Sequence, residues 1–174
     1  MKWMAFGLAL ITAVAAQAPG ARATLLTFAT SLIPEAAGAT GSGNSFVTID
    51  TTAHTLQIDI DWSGLSGTAT VAHIHCCTAD PGSGMIGIAV TPVTLTGFPF
   101  GVTSGNYEQR FDLTNSSTYT LNFIANFGGG STEGTEAALI AGIQAGKAYL
   151  DIHSTAFPAG EMRGFLAPAA SRPG

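Results

Sequence analysis

Thr55-Leu56-Gln57-Ile58-Asp59-Ile60-Asp61-Trp62 alternates without a break. Leu56, Ile58, Ile60 and Trp62 fall on one side of an extended chain; Gln57, Asp59 and Asp61 fall on the other. A period of two marks a strand with one face in a core and one in water. Such a half-buried strand belongs in an antiparallel sheet. Residues 46–50 (FVTID) precede it, and Thr51-Thr52-Ala53-His54 lies between, so the pair reads as a hairpin. In that turn His54 reads as a solvated surface residue.

Working outward, the same logic predicts strands at 24–30, 70–76, 85–90, 105–112, 119–123, 148–153 and 163–166, divided by Gly, Pro, Asn and Ser clusters. Many short strands at this spacing predict an all-β fold, an antiparallel β-sandwich or barrel. One segment departs from the pattern. Residues 136–144 (EAALIAGIQ) carry Leu139, Ile140 and Ile143 at helical spacing, with Thr135 available to start a helix and Gly146 to end it. The prediction is one short helix on a sandwich. Its core is Leu56, Ile58, Ile60, Trp62, Ile74, Leu121, Phe123, Leu150 and Ile152. Residues 127–134, with their run of three glycines, read as a surface loop that lacks the lysine and helix of a phosphate-binding loop.

The 174 residues suit one domain. Only 10% are charged against 46% hydrophobic, well below the ~25% charged residues of ordinary soluble domains. Residues 1–23 have a positive start at Lys2, an apolar stretch from Trp3 to Ala16 and small-residue cleavage sites, ending at Ala21-Arg22-Ala23. That is the plan of a secretory signal, and the stretch is shorter than the ~20 residues of a membrane span. The expected organisation is a signal peptide at 1–23, a domain at 24–167 and a mobile tail at 168–174, secreted or periplasmic, with no stable membrane anchor. Without Lys2 and Arg22 the chain keeps four basic residues against 11 acidic. No basic patch remains for nucleic acid.

Ala72-His73-Ile74-His75-Cys76-Cys77 gathers half of the histidines and both cysteines. On a strand, His73 and His75 share a face, with Cα atoms ~6.5–7 Å apart, so both rings reach one ion. In Tyr149-Leu150-Asp151-Ile152-His153 the face of His153 also carries Tyr149 and Asp151. His73, His75 and His153 therefore form a candidate site for copper or zinc. The competing reading is a structural polar cluster in which Glu161 and Arg163 pair with each other and with the three histidines. The adjacent cysteines allow a vicinal disulfide, intermolecular bonds or a thiolate ligand. Continued alternation returns Cys77, not Cys76, to the histidine face. No nucleophile stands beside a base, and no Gly-x-Ser-x-Gly turn occurs, so neither a catalytic residue nor an enzyme activity is assigned. Asp59 and Asp61 read as a solvated face.

Two stretches together resemble the CHRD domain of chordin and of many exported bacterial proteins. One is Ala72-His73-Ile74-His75. The other is 141–153, AGIQAGKAYLDIH, followed by Phe157-Pro158-Ala159-Gly160-Glu161-Met162-Arg163-Gly164. The family pattern looks like Tyr-x-x-x-His and then Pro-x-Gly-Glu-x-Arg-Gly. The resemblance implies an extracellular β-rich module without established enzyme activity, whose recurrent residues match His73, His75, His153, Glu161 and Arg163. The expected sandwich is of Greek-key, immunoglobulin-like or superoxide-dismutase-like type, the last by separate analogy with the His-x-His copper-ligand strand of copper-zinc superoxide dismutases. In chordin the domain accompanies modules that bind growth-factor ligands, a role that does not transfer to a lone domain; the expected partner is a protein or extracellular-matrix component of unknown identity. Where the family usually has Gly-Pro after His-x-His, this chain has Cys76-Cys77. The expected function is a non-enzymatic extracellular binding or structural module; the alternative is a metal-binding protein.

Overall fold

A computed structural model describes residues 24–169. The expected signal peptide and residues 170–174 of the expected tail lie outside the described residues. The strands are β1 (Leu25–Pro34), β2 (Ser42–Asp50), β3 (Thr55–Ser63), β4 (Ala69–Cys76), β5 (Ile88–Val90) and β6 (Gly105–Asp112). Two helices follow, α1 (Leu121–Phe127) and α2 (Thr132–Gln144), and then β7 (Ala148–Ser154), β8 (Met162–Phe165) and β9 (Ala167–Pro168).

All pairing is antiparallel, and the strands form one curled sheet in the order β5-β4-β7-β8-β1-β2-β3-β6. The all-β class follows the alternation that predicted it. β1 joins the two halves: Leu25 to Leu32 pair with β2, while Ile33 and Pro34 pair with β8. Both halves turn their inner residues into one core. β2 and β3 supply Val47, Ile49, Leu56, Ile58, Ile60 and Trp62; β4, β7 and β8 supply Ala72, Ile74, Leu150, Ile152 and Met162. Burial of each large aliphatic side chain contributes about 1.5–3 kcal/mol. Trp62 stacks on Phe98 at 5.0 Å between ring centroids.

The predicted strand at 119–123 is instead the start of α1. Thr120 accepts a hydrogen bond on its side chain from Phe123 N at 3.1 Å, satisfying one of the free amides that open a helix. Turning the segment from period two to helical spacing leaves Phe123 buried but Leu121 83% exposed, so Leu121 is not core. α2 begins four residues before the predicted start, with Ser131 as its cap, accepting from Gly134 N. Thr135 lies inside the helix. Phe127 closes α1 and Thr132 opens α2, so the expected loop shrinks to the residues between. The predicted strand at 85–90 keeps only Ile88–Val90. Pro168 pairs with Phe28, so the sheet runs one residue into the expected tail. His54 lies in the turn expected, but its Nδ1 is 2.9 Å from both carboxylate oxygens of Glu136. It ties the β2–β3 hairpin to α2. Among the described residues no helix is long and apolar enough to cross a membrane.

Candidate metal centre

β7 lies between β4 and β8, and the register decides what meets on their outer face. His73 is opposite Asp151, Val71 opposite His153 and His75 opposite Tyr149. On the other flank Arg163 is opposite Asp151 and Phe165 opposite Tyr149. Alternation then brings His73, His75, Tyr149, Asp151, His153, Arg163 and Phe165 to one side of three neighbouring strands. Asp151 stands at the middle of this group.

The three imidazoles converge on its carboxylate. His73 Nδ1 is 3.3 Å from Oδ1; His75 Nε2 and His153 Nε2 are 3.1 and 2.9 Å from Oδ2. The candidate ligand atoms of all four residues lie within 4.8 Å of one another. Each imidazole also meets a backbone carbonyl through its other nitrogen. His73 Nε2 donates to Val93 O at 2.9 Å, His75 Nδ1 to Ile86 O at 2.7 Å and His153 Nδ1 to Pro158 O at 2.8 Å. A carbonyl only accepts, so each outer nitrogen carries hydrogen. In a neutral imidazole the inner nitrogen then holds a lone pair, aimed at a carboxylate that also only accepts.

His73 Nδ1, His75 Nε2 and Asp151 Oδ1 are buried with no hydrogen-bond partner. At 3.1–3.3 Å the His73 and His75 contacts have ion-pair distance without hydrogen-bond direction. Positive charge is what this arrangement calls for. Burial disfavours charge on His75 and His153, yet Asp151 outweighs it and both pKa values lie above the ordinary 6.5. Burial likewise opposes ionisation of Asp151; His153, His73 and His75 overcome it and hold the carboxyl far below the usual range.

Neighbouring aromatic groups fix the ring planes. His75 stacks on Tyr149 at 4.6 Å with 4° between planes. The Arg163 guanidinium lies 5.3 Å above the same Tyr149 ring and 5.9 Å from the Phe165 ring. Burial pushes the Tyr149 hydroxyl pKa up.

The sequence reading brought five residues together; three of them meet here. Glu161 is buried, but it accepts from Ser66 N at 2.6 Å and so serves the β3–β4 loop. Arg163 pairs with Glu35, not with Glu161, Nε to Oε2 at 3.1 Å, and donates to Gly84 O. Asp151 was legible as a neighbour of His153 on one face, and the register makes it the hub. Glu35 was missed: it follows β1, far away in sequence, and only the β1–β8 pairing brings it to Arg163.

Cys77 does not join the histidines. β4 ends at Cys76, so alternation stops before Cys77. The two sulfurs are at bonding distance from each other, and the Cys77 sulfur faces Ala138 O on α2. Both sulfurs sit where a β-carbon on Gly142 would stand. Only glycine leaves room for them.

The model of the CHRD domain family matches residues 23–166 of the chain. No curated protein matches it, and no solved structure does.

Proposed function

The chain belongs to the CHRD domain family, and on that premise we propose an exported, non-enzymatic binding module, secreted or periplasmic, that holds one copper or zinc ion. The family itself is of extracellular type. The metal reading is carried by one observation: three imidazoles, each with its outer N–H fixed on a carbonyl, turn their inner nitrogens onto a buried carboxylate. Three protons would put three like charges within one small volume; a single divalent ion satisfies the same atoms with less repulsion. His73, His75, His153 and Asp151 are the ligand set, and imidazole nitrogens with a carboxylate suit zinc or copper(II). The carbonyls of Val93, Ile86 and Pro158 orient the rings, as groups behind metal-binding histidines do. Cys76 and Cys77, beside the site but outside it, form a vicinal disulfide, in keeping with an oxidising compartment. The partner is a protein or matrix component of unknown identity.

Titration of metal-free protein with zinc and with copper(II), followed by native mass spectrometry, tests the reading. One ion per chain is expected for the wild type, and none for His75→Ala or Asp151→Asn. Wild-type protein that takes up no ion, or variants that take up as much, would overturn it. A second reading, a metal-free structural cluster, draws support from the directional His153–Asp151 hydrogen bond at 2.9 Å. It expects Asp151→Asn to lower the melting temperature while added zinc raises it in neither protein.

A further inference from the structure

The Glu35–Arg163 ion pair stands at the edge of the cluster, outside the ligand set. Its geometry touches the loop that holds one ligand. Glu35 Oε1 occupies the place where a side chain on residue 160 would begin, and Gly160 has φ +127°. Glu35 N donates to Glu161 O at 3.0 Å. Glu35 thus packs its carboxylate on Gly160 and ties its backbone N–H to the carbonyl of Glu161. Two residues back, Pro158 O receives the Nδ1–H of His153. On the other side Arg163 fixes the Glu35 carboxylate, while its guanidinium lies over Tyr149, on which His75 stacks. The carboxyl of Glu35 is also within electrostatic reach of Asp151, His153 and His75. The more exposed edge of the cluster is the His75 and His153 side, at 12% and 14%, against 5% for His73.

We propose that Glu35 and Arg163 are the positioning pair of the metal centre, clamping the Pro158–Glu161 loop so that His153 presents Nε2 to the ion. The proposal rests on the metal reading given above. It assigns the chain's Pro-x-Gly-Glu-x-Arg stretch a division of labour. Pro158 orients His153, Gly160 admits Glu35, Glu161 serves the Ser66 loop and Arg163 holds the clamp. Groups that orient metal-binding histidines typically change affinity by ~10–100-fold when removed.

The test uses the exported chain with Glu35→Ala, Glu35→Gln and Arg163→Lys, read in two ways. In metal-free protein, nitrogen NMR of the His153 ring reports whether its hydrogen stays on Nδ1. With zinc, chelator competition gives affinity, and with copper(II), electron paramagnetic resonance gives the number of bound imidazoles. Glu35→Ala is expected to let the His153 hydrogen exchange between nitrogens, to weaken zinc by ~10–100-fold and to lose one imidazole from the copper spectrum. Glu35→Gln, which keeps the shape that fills the space over Gly160, is expected to lie between Ala and wild type. Arg163→Lys is expected to weaken zinc less than Glu35→Ala. Wild-type zinc affinity in Glu35→Ala, with an unchanged copper spectrum, would overturn the proposal. A wild type that binds no ion while Glu35→Ala still frees the His153 ring would overturn the metal reading and leave the clamp standing.

Discussion

The two halves of the sheet have the same inner face and opposite outer faces. On β3 the outward residues are Gln57, Asp59 and Asp61; on β7 they are Tyr149, Asp151 and His153. Asp61 is exposed, whereas Asp151 is 4% exposed. Alternation is identical in both strands, so it does not distinguish them. What differs is the cover. β3 lies between β2 and β6 with an outer face open to water. The outer face of β4 and β7 lies under three loops, whose carbonyls at Ile86, Val93 and Pro158 hold the histidines. A carboxylate on a sheet becomes chemically special when loops exclude water and supply partners.

The largest break of that comparison is Asp151→Ala against Asp61→Ala. Removing the hub of a buried charged cluster is expected to cost about 3–5 kcal/mol, and Asp61→Ala within about 0.5 kcal/mol; chemical denaturation of metal-free protein measures both. Next comes Gly142→Ala, which places a methyl group on both sulfurs. Overpacking of this kind costs about 1–3 kcal/mol, and the same measurement made with both cysteines changed to serine should recover part of it.

The third test sharpens the comparison through pH. His75 and His153 have folded pKa values above 6.5, so their contribution to the metal-free fold is complete below 6.5 and is lost as pH rises through the folded values. Asp151 is depressed, so its contribution is present above 3.8 and is lost only in strong acid. The melting temperature of metal-free protein is therefore expected to fall as pH rises above 6.5, by roughly 2–4 °C for each kcal/mol lost. Bound zinc, which needs the imidazoles unprotonated, should abolish that fall. A smaller effect than those of Asp151 and Gly142 is expected for Thr120→Ala, about 1 kcal/mol for the lost helix cap.

The strands with one wet face were the most legible part of the chain. β3 and β6 were read from alternation, with Gly105–Asp112 matching to the residue. α1 was misread because Tyr119, Leu121 and Phe123 alternate as a strand would; the Thr120 cap is the signal that separates the two. Three of the four clustered residues, His73, His75 and His153, were legible too, since placing them on strand faces needs only alternation. The rest needed strand register, which makes Asp151 central, and long-range pairing, which delivers Glu35 from just beyond the end of β1. A sequence read locally carries neither. Cys77 shows the reverse failure: alternation extended past the end of its strand pointed to the wrong neighbours.

β1 has a last consequence, one of timing. It is the first strand among the described residues, yet it pairs with β8 and β9, the last two. Neither half of the sheet can be sealed to the other until residues as late as 162–168 are present. Closing so long a loop is entropically costly and slow compared with forming a hairpin. A chain still being synthesised would hold finished hairpins and an open seam. Arg163 arrives with that seam, so joining the halves and assembling the clamp on His153 would be one event.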